Sequence, residues 1–166
     1  MPNWCNNTLT ISHPDPAMME KAAAAWNEGE FLATFAPEPN YPGYDDCEIK
    51  RTEDESAMPD WWTWRVNNWG TKWDIGFDSA LDNKGEVVEG EMSVYFESAW
   101  SPPIQAYDAM VEQGFSILAY YFEPGCDFCG RYRDGIDECY TVSEGDIPSD
   151  IDDEMGISEQ WGELNG

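Results

Sequence analysis

Apolar and polar residues alternate over 4–11, with Cys5, Leu9 and Ile11 in one phase, which predicts a half-buried strand. Pro14, Asp15 and Pro16 then supply an N-cap carboxylate and a first-turn proline. Met19, Ala22, Ala23 and Trp26 recur at helical spacing as far as Gly29, a natural stop. Asp60 opens a short aromatic helix through Trp61, Trp62, Trp64 and Trp69 that Gly70 closes. Trp73, Ile75 and Phe77 alternate with Asp74, Gly76 and Asp78 and predict a second strand. After a turn over 82–85, Met92, Val94 and Phe96 mark a returning strand over 91–98. Ser101, Pro102 and Pro103 start another helix, with Ile104, Tyr107, Met110 and Val111 as its apolar stripe and Gly114 as its end. Residues 115–122 are apolar on both faces apart from Ser116, so that strand is expected to be central or covered.

Strand, helix, strand, strand, helix, strand is the order of a ferredoxin-like α+β domain: an antiparallel sheet with both helices on one face. A further hairpin is expected over 129–142, turning at Asp134 and Gly135. Residues 1–143 would then form one domain carrying an insertion at 37–60, followed by an acidic tail over 144–166. The insertion holds four of the prolines, and the tail has a short helix ending in Trp161.

Charge changes this picture most. The 166 residues hold 34 Asp plus Glu against 8 Lys plus Arg, a net of −26. The insertion and residues 134–166 together carry −17 of it, and 134–166 has no basic residue at all. Such a chain repels phosphate backbones and anionic membranes, so direct binding to nucleic acid or to a membrane is not expected. No run of 18 apolar residues is present, and the Met-Pro-Asn-Trp opening reads as no secretory signal. With five cysteines, an odd number, a reducing cytoplasm is the expected setting.

Several blocks carry a resemblance. Residues 2–7 (Pro2, Asn3, Trp4, Cys5, Asn6, Asn7), 68–74 (Asn68 through Asp74), 96–103 (Phe96 through Pro103), 121–125 and 128–130 are similar to the YubB-type proteins of phages and plasmids. The resemblance implies a ferredoxin-like domain and a mobile-element origin. It implies no activity, because that family mostly lacks assigned biochemistry.

Known catalytic signatures are missing: no phosphate-binding loop, nucleophile elbow, dinucleotide fingerprint or His-rich metal motif occurs. The single histidine, His13, sits in a loop leading into a helix, where an orienting partner for base catalysis is not evident. Cys126 and Cys129 with Cys139 invite a zinc reading, but a fourth ligand would have to come from Cys5 or Cys47. A two-residue turn at Asp134 and Gly135 also puts Gly130 opposite Cys139 and Cys129 opposite Tyr140, so Cys129 and Cys139 project from opposite faces. No cofactor is expected. In the aromatic blocks, Trp69, Trp73 and Trp100 are expected to cement the insertion onto the sheet, with Lys72 and Glu123 as a partly buried pair. The alternative is a ligand-binding or hydrolytic pocket built from Asn68, Trp69, Lys72, Trp73, Trp100 and Glu123.

Three explanations of the acidity stand side by side: a solvated surface, adaptation to high salt, and imitation of nucleic-acid phosphate. A mobile-element protein has targets for the last in host restriction, CRISPR or other defence nucleases. The expected role is therefore a non-catalytic inhibitor that binds a basic surface on a host nucleic-acid-handling protein. Asp134, Asp137, Glu138, Asp150, Asp152, Asp153 and Glu154 are the first candidates for contact, and Asp45, Asp46 and Glu48 the second. Exposed aromatics near Tyr41, Tyr44, Trp61 or Trp161 could anchor it. A plain accessory or oligomeric role, through sheet edges, is the remaining reading.

Overall fold

The computed structural model describes residues 3–39 and 60–160. Strand β1 (Trp4–Ser12) buries Cys5, Asn7, Leu9 and Ile11 and turns the intervening residues outward. Helix α1 (Pro16–Glu28) starts where the Asp15 carboxylate accepts the Ala17 amide at 3.0 Å. It ends at Gly29, whose φ of 77° suits a residue without Cβ and whose N–H caps the Ala25 and Trp26 carbonyls. Helix α2 (Phe31–Phe35) follows at once, and helix α3 (Asp60–Asn68) precedes the 69–86 loop. Strands β2 (Val87–Val88) and β3 (Glu91–Ala99) form a tight hairpin in which Glu89 and Gly90 both take positive φ. Helix α4 (Ile104–Glu112) leads to β4 (Ser116–Glu123), β5 (Phe128–Arg133), β6 (Ile136–Thr141) and helix α5 (Ser149–Met155).

The six strands make one sheet in the order β2-β3-β1-β4-β5-β6, with every neighbouring pair antiparallel. One face is covered by α1, α2 and α4: Leu9, Ile11, Met92, Phe96, Ile117 and Ala119 meet Met19, Trp26, Phe31, Phe35, Tyr107 and Met110 in the main core. Trp26 sits at its centre, edge-on to Phe31 and Phe96, and its indole N–H donates to the Asn83 carbonyl at 2.7 Å. The strand expected to be central or covered, β4, is buried on both sides. Its opposite face is covered by α5, where Phe122 and Cys129 pack with Ile151, Met155 and Ile157. No helix among the described residues is long and apolar enough to cross a membrane.

One expectation needs correction. Residues 73–77 alternate but form no strand, because their polar groups are used elsewhere. The Asp74 carboxylate accepts the Leu32 and Ala33 amides at 2.6 and 3.0 Å, capping α2 from a distance, and the Ile75 carbonyl accepts the Phe31 amide. Phe77 donates to the Trp26 carbonyl. The segment is thus tied to the α1–α2 corner rather than to β3, and only the two residues of β2 pair there. The two helices expected on one face, α1 and α4, do share it, and the short helix of the tail, α5, lies against the other. The predicted hairpin register is observed: Arg133 faces Ile136, Gly130 faces Cys139 and Cys129 faces Tyr140, around a turn in which Asp134 and Gly135 have φ of 47° and 101°.

Candidate functional site

The blocks that carry the family resemblance meet at one end of the sheet. Register alone brings Trp4 opposite Ala99, Cys5 opposite Ser98 and Asn6 opposite Phe122. Side chains then stitch the ends together. Asn7 Nδ2 donates to Ser98 Oγ at 2.9 Å and to the Cys5 carbonyl at 2.8 Å, and Ser98 Oγ donates to the Ser101 carbonyl at 2.7 Å. Ser101 Oγ donates to Gly70, while Thr71 Oγ1 donates to the Ala99 carbonyl at 2.9 Å. Trp100 is held in this weave at φ 70°, a left-handed conformation that costs a bulky residue on the order of 1 kcal/mol. Its amide bond to the Asn3 carbonyl helps to keep it there. Its ring stays 47% exposed.

Beneath the weave lies a buried polar cluster. Glu123 is 1% exposed, and one carboxylate oxygen accepts the Gly125 amide at 2.8 Å. Its other oxygen, Asn7 Oδ1 and the Tyr107 hydroxyl are buried without a hydrogen-bond partner among the described residues. Burial and the nearby Glu123 push the Cys5 thiol far above its ordinary value, so Cys5 is an inert thiol rather than a nucleophile. Burial likewise raises the Tyr107 hydroxyl.

The expected Lys72–Glu123 pair does not form. Lys72 Nζ instead sits over the Trp73 ring, 5.5 Å from its centroid, and among the described residues no ion pair reaches Glu123. The loop that carries Lys72 is tied through Asp74 to the amides of α2, whereas Glu123 is buried at the end of β4. Trp69 is buried and bonds the Ala36 carbonyl through its indole N–H at 2.8 Å. Asn68 is exposed and bonds within α3. Arg65, ion-paired with Glu38 at 2.6 Å, lies over both the Trp61 and Trp69 rings.

A cleft of about 640 Å³ opens beside this region, between the 73–81 loop and the outer edge of β3. Trp4, Trp73, Phe77, Asp78 and Glu97 are among its lining residues, and among the described residues no lysine or arginine lines it. The residues at positions 4, 77, 78 and 97 were not singled out in the sequence as site residues. A signal existed for one of them: Trp4 occupies the outward phase of an alternating strand, where a polar residue is the rule. A second, smaller groove of about 390 Å³ lies over Thr8, Thr10, Ser93 and Tyr95, with Lys84 and Glu154 in its walls.

Of the seven described acids proposed for partner contact, five already hold internal bonds. Asp134 accepts the Ile117 amide at 2.7 Å, and Asp137 accepts the Tyr121 hydroxyl at 2.6 Å. Glu138 and Asp150 both pair with Arg131. Burial raises the Asp150 carboxyl, but the Arg131 bond and charge outweigh it and leave the group below its ordinary value. Asp152 is held low by the hydroxyl and amide of Ser158. Asp153 and Glu154 are exposed on α5. Tyr41, Tyr44, Asp45, Asp46, Cys47, Glu48 and Trp161 lie outside the described residues.

Cys129 is buried and Cys139 exposed, on opposite faces of the hairpin as the register requires, and Cys126 is exposed with its sulfur 3.5 Å from Asn3 Nδ2. Among the described residues no group of three or more His, Cys, Asp or Glu is placed to hold a metal ion. His13 joins two helix ends: Nδ1 accepts the Asp15 amide, which leaves Nε2–H to donate to the Gln113 carbonyl, both at 2.9 Å.

The fold and this site define an α+β protein with a six-stranded antiparallel sheet, whose recognisable sequence blocks serve one end of that sheet. The chain is 28% identical over 106 residues to the uncharacterized protein YubB of Escherichia coli (strain K12), a span of 60% of this chain and 70% of that protein. The likeness suggests a YubB-like family. No protein-family model and no solved structure matches the chain.

Proposed function

We propose that the protein is a non-catalytic mobile-element product that binds and inhibits a host nucleic-acid-handling protein by covering a basic surface on it. One observation carries the reading. The sheet face turned away from α1 and α4 exposes Trp4 and Tyr95 beside Glu91 and Glu97 over β1 and β3. Aromatics on an open sheet face are suited to stacking, and in nucleic-acid binders they stack bases within a basic surround. Here the surround is acidic and the whole chain is at −26, so a phosphate backbone is repelled and a cationic protein surface is attracted. Exposed aromatics supply anchors, while the acids speed encounter.

We further read the β2-β3-β1-β4 part of the sheet, with α1 and α4 on one face, as a ferredoxin-like core in which β2 is reduced to two residues. On this reading the β5–β6 hairpin and α5 are additions to the core. The host-cell cytoplasm is the setting in which such an inhibitor would act.

The test is capture from bacterial lysate on immobilised protein over a salt gradient, with and without excess duplex DNA. A retained nucleic-acid-binding protein that duplex DNA and salt both displace is the expected result, with capture weakened in a Glu91→Gln, Glu97→Gln double variant. Retention indifferent to DNA and salt, or no retention at low salt, would overturn the proposal.

A further inference from the structure

The cleft between β3 and the 73–81 loop has the chemistry of a cation receptor. Three of its rings are partly open to solvent: Trp4 at 44%, Phe77 at 43% and Trp73 at 39%. Trp73 is already engaged by Lys72 and Trp61. No ring or cation stacks on Trp4 or Phe77 among the described residues. Glu97 supplies a carboxylate on the same exposed face as Trp4, and no lysine or arginine pairs with it among the described residues. Asp78 and Asp74 add two more carboxylates: one Asp78 oxygen accepts the Ala80 amide, and Asp74 accepts the Leu32, Ala33 and Ile75 amides.

The backbone contributes as well. The Tyr95 and Ala99 carbonyls point to the outer edge of β3, where Asn83 Nδ2 and Thr71 Oγ1 cap them at 2.7 and 2.9 Å. Antiparallel alternation turns the N–H and C=O of Glu97 to that same edge, midway between the two caps. Both flanking positions are closed against pairing with a long strand, and one residue's worth of edge stays available. At about 640 Å³ the cleft is large enough for a few residues of extended chain.

We propose that this cleft receives an arginine, carried on a short extended segment of the protein partner, with its guanidinium against Trp4 and Phe77 and paired with Glu97. The proposal rests on the basic-partner reading above and names the place where that partner is gripped. Charge complementarity selects the occupant, since the cleft has aromatic walls, three carboxylates and, among the described residues, no lysine or arginine in its lining. Arginine fits better than lysine because its planar, weakly hydrated guanidinium can stack on a ring and bond a carboxylate at once.

The test is fluorescence anisotropy at low salt with a labelled arginine–glycine peptide, its lysine counterpart and its uncharged citrulline counterpart. Each is titrated with wild type, Glu97→Gln, Trp4→Ala and, as a remote charge control at the exposed end of α4, Glu112→Gln. Glu97→Gln changes only a surface carboxylate, so it preserves the test if Trp4→Ala perturbs the fold. The expected result is that the arginine peptide binds most tightly, and that Glu97→Gln and Trp4→Ala each weaken it about tenfold. Glu112→Gln is expected to change affinity less than about twofold. If the arginine peptide binds but Glu112→Gln weakens it as much as the cleft variants do, the cleft assignment falls while the basic-partner reading stands. If arginine and citrulline peptides behave alike, both fall.

Discussion

Replacing Asp74 tests whether one distant carboxylate holds both a helix and the cleft wall. Its two oxygens accept the Leu32 and Ala33 amides of α2 at 2.6 and 3.0 Å, and the Ile75 amide at 2.8 Å. α2 has no other side-chain cap at its start, so Asp74→Ala strands donors in a partly buried corner. An unsatisfied buried amide costs about 1–3 kcal/mol, and loss of an N-cap acceptor about 0.5–2 kcal/mol. Against this, removing a carboxylate whose pKa is raised by burial relieves a desolvation cost. The balance is a loss of about 2–4 kcal/mol, a large part of a typical total of about 5–15 kcal/mol. Asp74→Asn keeps one acceptor oxygen and should lose roughly 1 kcal/mol.

Urea denaturation read as a midpoint shift at constant m-value is the assay. The pH dependence adds a sign. A carboxyl with a raised native pKa binds its proton more tightly in the folded state, so its contribution to stability is greatest below its unfolded value and falls as pH rises through the native one. The stability gap between wild type and Asp74→Asn should therefore narrow from pH 3.5 to pH 7. An Asp74→Ala protein within about 0.5 kcal/mol of wild type at pH 7 would refute the capping argument, as would a gap that widens with pH.

Three further outcomes follow from the geometry. Gly130→Ala would drive a Cβ into the Tyr121 phenol and the Glu138 carbonyl, breaking the Tyr121–Asp137 bond, and should cost about 2–3 kcal/mol by urea titration; a neutral effect would contradict the close β4–β5–β6 packing. The depressed Asp152 carboxyl stabilises the segment after α5 above about pH 4, and that stability is lost as pH falls through the depressed value; Asp152→Asn should remove this acid-limb dependence in limited proteolysis of the C-terminal segment. With burial pushing the Cys129 thiol up to about 11 and Cys5 higher still, iodoacetamide at pH 8 should label Cys126 and Cys139 and spare Cys5 and Cys129 until urea is added; peptide mapping that finds Cys5 or Cys129 labelled in the folded protein would contradict their burial.

Local chemistry alone determined much of this protein. Asp15 with Pro16 at one end and Gly29 at the other bound α1 without outside help. Asp134 and Gly135 set the β5–β6 turn and, with it, the opposite facing of Cys129 and Cys139, because a two-residue turn leaves one register. The apolar character of β4 on both faces foretold its covered place, since only a covered strand can bury both phases.

Tertiary structure decided what depends on partners far along the chain. α2 is five residues long and is capped from residue 74, so no local signal announces it. The same bond took residues 73–77 out of the sheet: their alternation reads as a strand, but hydrogen bonds choose between a ladder and a helix corner, and periodicity does not record that choice. Lys72 and Glu123 carry opposite charges in neighbouring blocks, yet the loop of one is tied through Asp74 to α2 and the other is buried at the end of β4. The cleft arises in the same way. Trp4, Phe77 and Glu97 come from three separate segments, and it is the pairing of β1 with β3 and the anchoring of the 73–77 loop on α1 and α2 that bring them to one wall.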